Sequence, residues 1–166
     1  MTAPLPPGLT VGYVYSTALT SRVIEYYESG AGPSHATTLA EPGYVIDARL
    51  HGGVALRPVS YLDGSRVDWY RVPCGHEKAA QDIDFLRNQV GMPYSVGDII
   101  GFLVPAMFRK HLPARHPWMC SWLQLAAEVA AGVLPELPGQ LRRLDPYEAL
   151  LCNCAAGAIK ISGPEF

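Results

Sequence analysis

Alternating apolar and β-branched positions dominate the first half of the chain and predict strands. A run rich in Val and Tyr at residues 11–17 indicates an opening strand. Ser21 then stands where a helix N-cap is expected, and the apolar residues within 22–29 fall on one helical face. The chain is therefore expected to open with a strand followed by a short helix.

A β-hairpin is predicted next, because two strand-like runs flank a turn. The runs are residues 35–40 and 44–49, and the turn between them is Glu41-Pro42-Gly43. This arrangement places His35 at the entrance of the hairpin. The first half ends with strand patterns that share a period of two, at residues 54–59 and 67–72.

The second half of the chain changes to helical spacing of its apolar residues. Asp145-Pro146-Tyr147-Glu148 has the N-cap, the Pro and the Glu that begin a helix. The other predicted helices are residues 77–90, 95–112 and 120–131. Strands followed by helices, without strict alternation, indicate an α+β fold with an antiparallel sheet.

Composition is typical of one globular domain. The chain has 166 residues and is 49% hydrophobic, so we expect a single domain over residues 11–166 after a flexible Pro-rich arm at residues 1–10. A formal net charge of −2 argues against nucleic-acid partners. The first residues lack the features of a secretory signal and no run is long enough to span a membrane, so a cytoplasmic location with four reduced cysteines is expected.

Cys120 is the first candidate for chemistry. It follows the loop PARHPWM and begins the apolar run SWLQLAAEVAAG, which indicates a buried helix headed by a cysteine. Unpaired N–H groups and the dipole at a helix N-terminus lower a thiol pKa and can hold an oxyanion. The same position also suits an ordinary core cysteine.

A thiolate nucleophile needs a base and usually a third group that orients the base. His35, which follows a Gly/Pro/Ser loop and opens a strand, is the candidate base, although it also suits a surface histidine. The period of two places Asp47 and His51 on one face of the paired strand, so either can approach His35. Asp47 equally suits a solvated strand charge.

Several segments resemble the YiiX-like family, whose members are circularly permuted relatives of the NlpC-type papain-like peptidases. Ser34-His35 opens a strand, Val45-Ile46-Asp47-Ala48 follows, FLRNQVGMPYS resembles the family's helix ending in Gly-x-Pro-Tyr, and MCSWLQLAAEVAAG resembles its nucleophile segment. The histidine precedes the cysteine, as in the permuted family. The family often has Glu where this chain has Asp47, which leaves His51 open for that role.

This resemblance implies a papain-like core with an antiparallel sheet packed against the Cys120 helix. It also implies a thiol hydrolase in which Cys120, His35 and Asp47 are catalytic, with neither a metal nor an organic cofactor. The expected substrate is an amide in a cell-wall (peptidoglycan) peptide or a related small peptide. The alternative is acyl transfer or hydrolysis on a lipid ester, as in the lecithin–retinol acyltransferase group, with residues 96–108 shaping an acyl pocket.

Two other functions compete with this hypothesis. Cys74-Gly75-His76 and Cys152-Asn153-Cys154 carry zinc-type ligands, but their one-residue gaps are tighter than those of usual zinc sites. Residues 95–112 form an apolar stretch with a basic end, which is typical of a binding module at a membrane surface as well as of a buried helix. The sequence does not determine an oligomeric state.

Overall fold

A computed structural model describes residues 7–15, 32–94, 119–136 and 144–164. Within these ranges the chain forms one antiparallel sheet of six strands in the order β4-β3-β2-β1-β5-β6. The strands are β1 (Gly8–Tyr15), β2 (His35–Glu41), β3 (Tyr44–Arg49), β4 (Gly53–Pro58), β5 (Arg66–Pro73) and β6 (Ile159–Ile161). The α+β class and the antiparallel sheet expected from the sequence are confirmed.

Three helices are present in the described ranges. They are α1 (His76–Asn88), α2 (Cys120–Ala130) and α3 (Pro146–Ala155), and a 3₁₀ turn at Val59–Leu62 joins β4 to β5. All three helices were expected within a few residues of these bounds. The predicted helices at 22–29 and 95–112 lie outside the described residues.

The two faces of the sheet are covered differently, because side chains alternate along each strand. On one face, Leu9, Val11 and Tyr13 of β1 pack in a buried cluster that includes Leu125 of α2 and Leu150 of α3. On the other face, a smaller buried cluster lies beside the 3₁₀ turn and contains Val14, Val45, Leu62 and Trp69. Helix α2 is therefore a central packing element, as its apolar sequence predicted.

Local signals explain where the helices begin and end. Asp145 accepts a hydrogen bond from the Glu148 N–H at 2.7 Å, and the Glu148 carboxylate accepts from the Asp145 N–H at 3.0 Å. This is the predicted capping box of α3. Gly132, just beyond α2, has φ +65°, a left-handed conformation that favours glycine after a helix.

Strand β1 begins at Gly8, whereas the sequence predicted that the strand begins at Val11 after a flexible arm. Leu9 is only 1% exposed, so this part of the chain belongs to the core. A Cβ on Gly8 would lie 2.0 Å from the Val72 carbonyl oxygen, so only glycine fits this close strand pairing. The Pro-rich composition suggested a loose arm but did not reveal the pairing with β5.

Two elements were absent from the sequence prediction, the 3₁₀ turn at Val59–Leu62 and strand β6. Strand β6 has only three residues and pairs with β5 through Trp69, Tyr70 and Arg71. It is too short to show a periodic pattern.

None of the described helices is long and apolar enough to cross a membrane, and all four cysteines are free.

Candidate active site

His35 and Asp47 are in direct contact. His35 Nε2 lies 2.6 Å from Asp47 Oδ2, and the Asp47 side chain is fully buried. The two residues are on adjacent strands, as the hairpin prediction required. The expected contact between a ring nitrogen of His35 and a carboxylate oxygen of Asp47 is therefore present.

The pairing of β2 with β3 explains this contact. Thr38 lies opposite Ile46 and Leu39 opposite Val45. The same register, continued along the strands, places Asp47 diagonally across from His35 on one face of the sheet. Diagonal neighbours are within reach when one partner has a long side chain, and the imidazole spans the gap.

Two residues that the sequence analysis did not single out also bind Asp47. Arg57 of β4 donates from Nε to Asp47 Oδ1 at 2.9 Å, and the Tyr61 hydroxyl donates to Asp47 Oδ2. Arg57 also donates from a terminal nitrogen to the Gly53 carbonyl oxygen at 3.0 Å. Together with His35, these residues give the buried carboxylate three hydrogen-bonding partners, which compensates for its loss of water.

The sequence pattern was able to indicate that Arg57 lies near Asp47, but it gave no such indication for Tyr61. Asp47 lies opposite Ala55 in the β3–β4 pairing, so Arg57 is two residues from that partner on the same face. Tyr61 lies in the 3₁₀ turn, whose conformation no periodic pattern predicted. Its contact with Asp47 depends on how this turn packs on the sheet.

Cys120 is the first residue of α2 and is 4% exposed. The N-cap residue Met119 makes no side-chain capping bond, so the first N–H groups of the helix receive no such partner. The Cys120 thiol lies beside the ring of His35 and the backbone N–H of Ala36, and both lower its pKa. Since His35 Nε2 faces Asp47, the Nδ1 atom is the ring nitrogen left for the thiol.

The charges at this site favour an ion pair between Cys120 and His35. Burial opposes the charged ring, but the Cys120 sulfur and the Asp47 carboxylate outweigh it and raise the pKa of His35 to about 10. Burial likewise opposes the thiolate, yet His35 and the Ala36 N–H lower the pKa of Cys120. Both shifts favour the thiolate and the imidazolium together.

Asp47 remains an anion despite its burial. Burial on its own raises the pKa of the carboxyl, but His35, Tyr61 and Arg57 together lower it. Burial and the contact with Asp47 raise the pKa of Tyr61, so its hydroxyl stays protonated and donates. The acid therefore stands beside the ring as a fixed negative charge.

The other sequence candidates lie elsewhere. His51 is in the exposed turn between β3 and β4, while Asp47 occupies the position beside His35. Cys74 follows β5, His76 begins α1, and Cys152 and Cys154 are on α3. No group of three or more His, Cys, Asp or Glu side chains in the described ranges can hold a metal ion.

A scan against models of known protein families finds no match. A search of curated proteins also finds none.

Proposed function

We propose that this chain is a thiol hydrolase of the papain-like class that cleaves an amide bond in a cell-wall peptide or a related small peptide. The observation that carries the proposal is the arrangement in which His35 contacts Asp47 directly and lies beside the Cys120 thiol. A nucleophile, a base and a residue that orients the base are the parts that such a reaction needs.

In the first half of the reaction, the thiol proton of Cys120 resides on His35. The sulfur attacks the amide carbonyl carbon and forms a C–S bond. The N–H groups at the start of α2 stabilise the oxyanion that develops. His35 then transfers its proton to the leaving nitrogen as the C–N bond breaks, which leaves an acyl-enzyme and a free amine.

In the second half, water resolves the acyl-enzyme. His35, now neutral, accepts a proton from water as the water oxygen attacks the acyl carbon. The C–S bond breaks, the carboxylic acid product leaves, and the Cys120 thiolate and the His35 imidazolium are restored. Asp47 fixes the ring orientation and balances the imidazolium charge throughout.

The fold is compatible with this proposal. The antiparallel sheet presents His35 and Asp47 from adjacent strands, and the helix headed by Cys120 packs against the same sheet. The histidine precedes the cysteine along the chain, which matches the permuted order of the YiiX-like proteins that the sequence resembles. The papain-like class and this family assignment are part of the proposal.

Selective alkylation tests the nucleophile. We expect iodoacetamide at neutral pH to modify Cys120 before Cys74, Cys152 or Cys154, because a stabilised thiolate reacts fastest. His35→Asn should slow this modification, whereas Cys154→Ser, at an exposed position on α3, should not change it. Faster modification of the other three cysteines would count against the proposal.

Incubation with two substrate classes tests the reaction. Muropeptides and phospholipids would be supplied separately to the wild type and to Cys120→Ser. Cleavage of a muropeptide amide that disappears in Cys120→Ser is the expected result. Release of fatty acid without muropeptide cleavage would instead favour the lipid-ester activity, and no turnover of any amide or ester would favour a binding module.

A further inference from the structure

Arg49 places a positive charge at the rim of the candidate active site. It is the last residue of β3, is exposed, and lies on the same strand face as Asp47. Its guanidinium carbon is 4.9 Å from the centre of the Tyr61 ring. Because Tyr61 bonds Asp47, and Asp47 bonds His35, three consecutive contacts connect Arg49 to the ring of His35.

The strand register gives a second reason to place Arg49 near His35. Thr38 pairs with Ile46 and Leu39 with Val45, and the same register continued towards the site sets Arg49 opposite His35. Side chains that lie opposite each other on one face have Cβ atoms about 4.5–5.5 Å apart. Arg49 therefore lies at the same end of the β2–β3 pair as His35, on the face that carries Asp47.

The hydrogen-bonding state of Arg49 distinguishes it from other described arginines. Arg66 also stacks on a tyrosine ring, at 4.3 Å from the centre, but it forms an ion pair with Asp68 at 2.8 Å. Arg57 is paired with Asp47, and Arg87 with Glu41. In the ranges that the structure describes, Arg49 has no carboxylate partner.

Stacking holds the guanidinium through its flat face and leaves its N–H groups at the edge free for a ligand. A planar carboxylate accepts two parallel hydrogen bonds from such an edge. A carboxylate close to the Cys120 thiolate would otherwise be repelled, and a nearby cation offsets this repulsion. The position therefore suits a substrate whose negative group is near the reacting carbonyl.

We propose that Arg49 is a specificity residue that binds a free carboxylate next to the scissile bond. The preferred substrates are then peptide amides that carry this carboxylate, in preference to neutral amides. This inference rests on the proposed thiol hydrolase function, since it names the substrate class of the same site.

Two alkylating reagents that differ in charge test the inference without a natural substrate. Iodoacetate carries a carboxylate and iodoacetamide is neutral, and both alkylate thiolates. In Arg49→Gln we expect the ratio of the iodoacetate rate to the iodoacetamide rate at Cys120 to fall about fivefold, the effect of one charge about 4 Å away in water. Arg49→Lys should keep most of the wild-type ratio.

Arg87→Gln is the matched control. It removes the same charge from an exposed site beside Glu41, at the opposite end of β2 from His35. At ordinary ionic strength the charge there is screened over such a distance, so the ratio should stay at the wild-type value.

The outcomes separate the inference from the function on which it rests. If Arg49→Gln slows both reagents equally, or leaves the ratio unchanged, Arg49 only supports Tyr61 and the inference is wrong while the nucleophile assignment stands. If neither reagent modifies Cys120 in the wild type, the proposed function fails and the inference fails with it. A lower KM for a carboxylate-bearing amide than for its carboxamide, abolished in Arg49→Gln, would support it further.

Discussion

At the scale of single residues, Asp47 is a buried carboxylate whose charge is stabilised by hydrogen bonds. The residue is 1% exposed, and its carboxylate contacts His35, Arg57 and Tyr61. A carboxylate held in this way stabilises an imidazolium beside it more strongly than a solvated one, because little water screens the interaction.

Asp47→Asn tests this role with almost no change in shape. The amide cannot balance the imidazolium, so the pKa of His35 should fall from about 10 and the Cys120 thiolate should lose part of its stabilisation. We expect the midpoint pH of Cys120 alkylation to rise by about one pKa unit, which slows the reaction by up to about tenfold at pH values below that midpoint. Rates measured from pH 5 to 10 would show the shift, and the exposed Asp63→Asn is the control.

Tyr61→Phe tests the hydroxyl alone. Its loss leaves Asp47 Oδ2 with His35 as its described partner, which should cost about 1 kcal/mol in the free energy of unfolding. Alkylation of Cys120 should slow less than in Asp47→Asn, because the charge remains. Tyr44→Phe, at a residue 43% exposed, is the control. If Tyr61→Phe and Tyr44→Phe changed the free energy of unfolding and the alkylation rate equally, the role assigned to Tyr61 would be contradicted.

At the scale of elements, the start of helix α2 determines the position of the Cys120 thiol. Helix α2 begins at Cys120 without a side-chain cap, whereas α3 begins with a full capping box at Asp145. The helix without a side-chain cap, α2, is the one that begins with Cys120. In the described residues, α2 therefore starts without the side-chain cap that fixes the start of α3.

Asp145→Ala should therefore affect stability and leave the chemistry intact. Loss of the cap is expected to lower the free energy of unfolding by about 1 kcal/mol. The rate of Cys120 alkylation should match that of the wild type. Urea unfolding measures the first effect, and a large fall in the alkylation rate of folded protein would show that α3 influences the site.

At the scale of the whole molecule, a buried polar cluster joins the sheet to the helices. Glu128 of α2 accepts hydrogen bonds from Gln124 and from Asn153 of α3, each at 3.0 Å, and both amides also donate to the Tyr13 hydroxyl of β1. Burial raises the pKa of Glu128 to about 7. Burial and the charge of Glu128 raise the pKa of Asp82 on α1 to about 8.

These raised values set the sign of a pH effect on stability. Each carboxyl binds its proton more tightly in the folded chain than in the unfolded chain, so its contribution is complete below pH 4 and is lost as the pH rises through about 7 and 8. Stability should therefore decline between about pH 4 and 8. Loss of the His35 proton near pH 10 extends the decline.

Glu128→Gln should flatten this dependence. The amide keeps the shape without the ionisation, so we expect a gain in the free energy of unfolding at pH 8.5 and little change at pH 4. Urea unfolding at both values measures the difference, with exposed Glu136→Gln as the control. An equal loss at both values would mean that packing, and not ionisation, dominates.

The sequence by itself determined the local elements and the residues that can carry chemistry. The turn at Gly43, the cap at Asp145 and the apolar stripe after Cys120 are properties of neighbouring residues, so short-range patterns record them. The period of two on β3 likewise placed Asp47 on one face before the register was known. The same local pattern also offered His51, and it could not choose between them.

Only the tertiary structure decided which distant groups meet. The register of β2 on β3 selected Asp47, the packing of the 3₁₀ turn brought Tyr61 to it, and the pairing of β1 with β5 made Gly8 part of the core. These contacts join residues far apart in the chain, whose approach depends on the closing of the whole sheet and on the burial of its faces. Periodicity, which reports only what is near in sequence, does not carry that information.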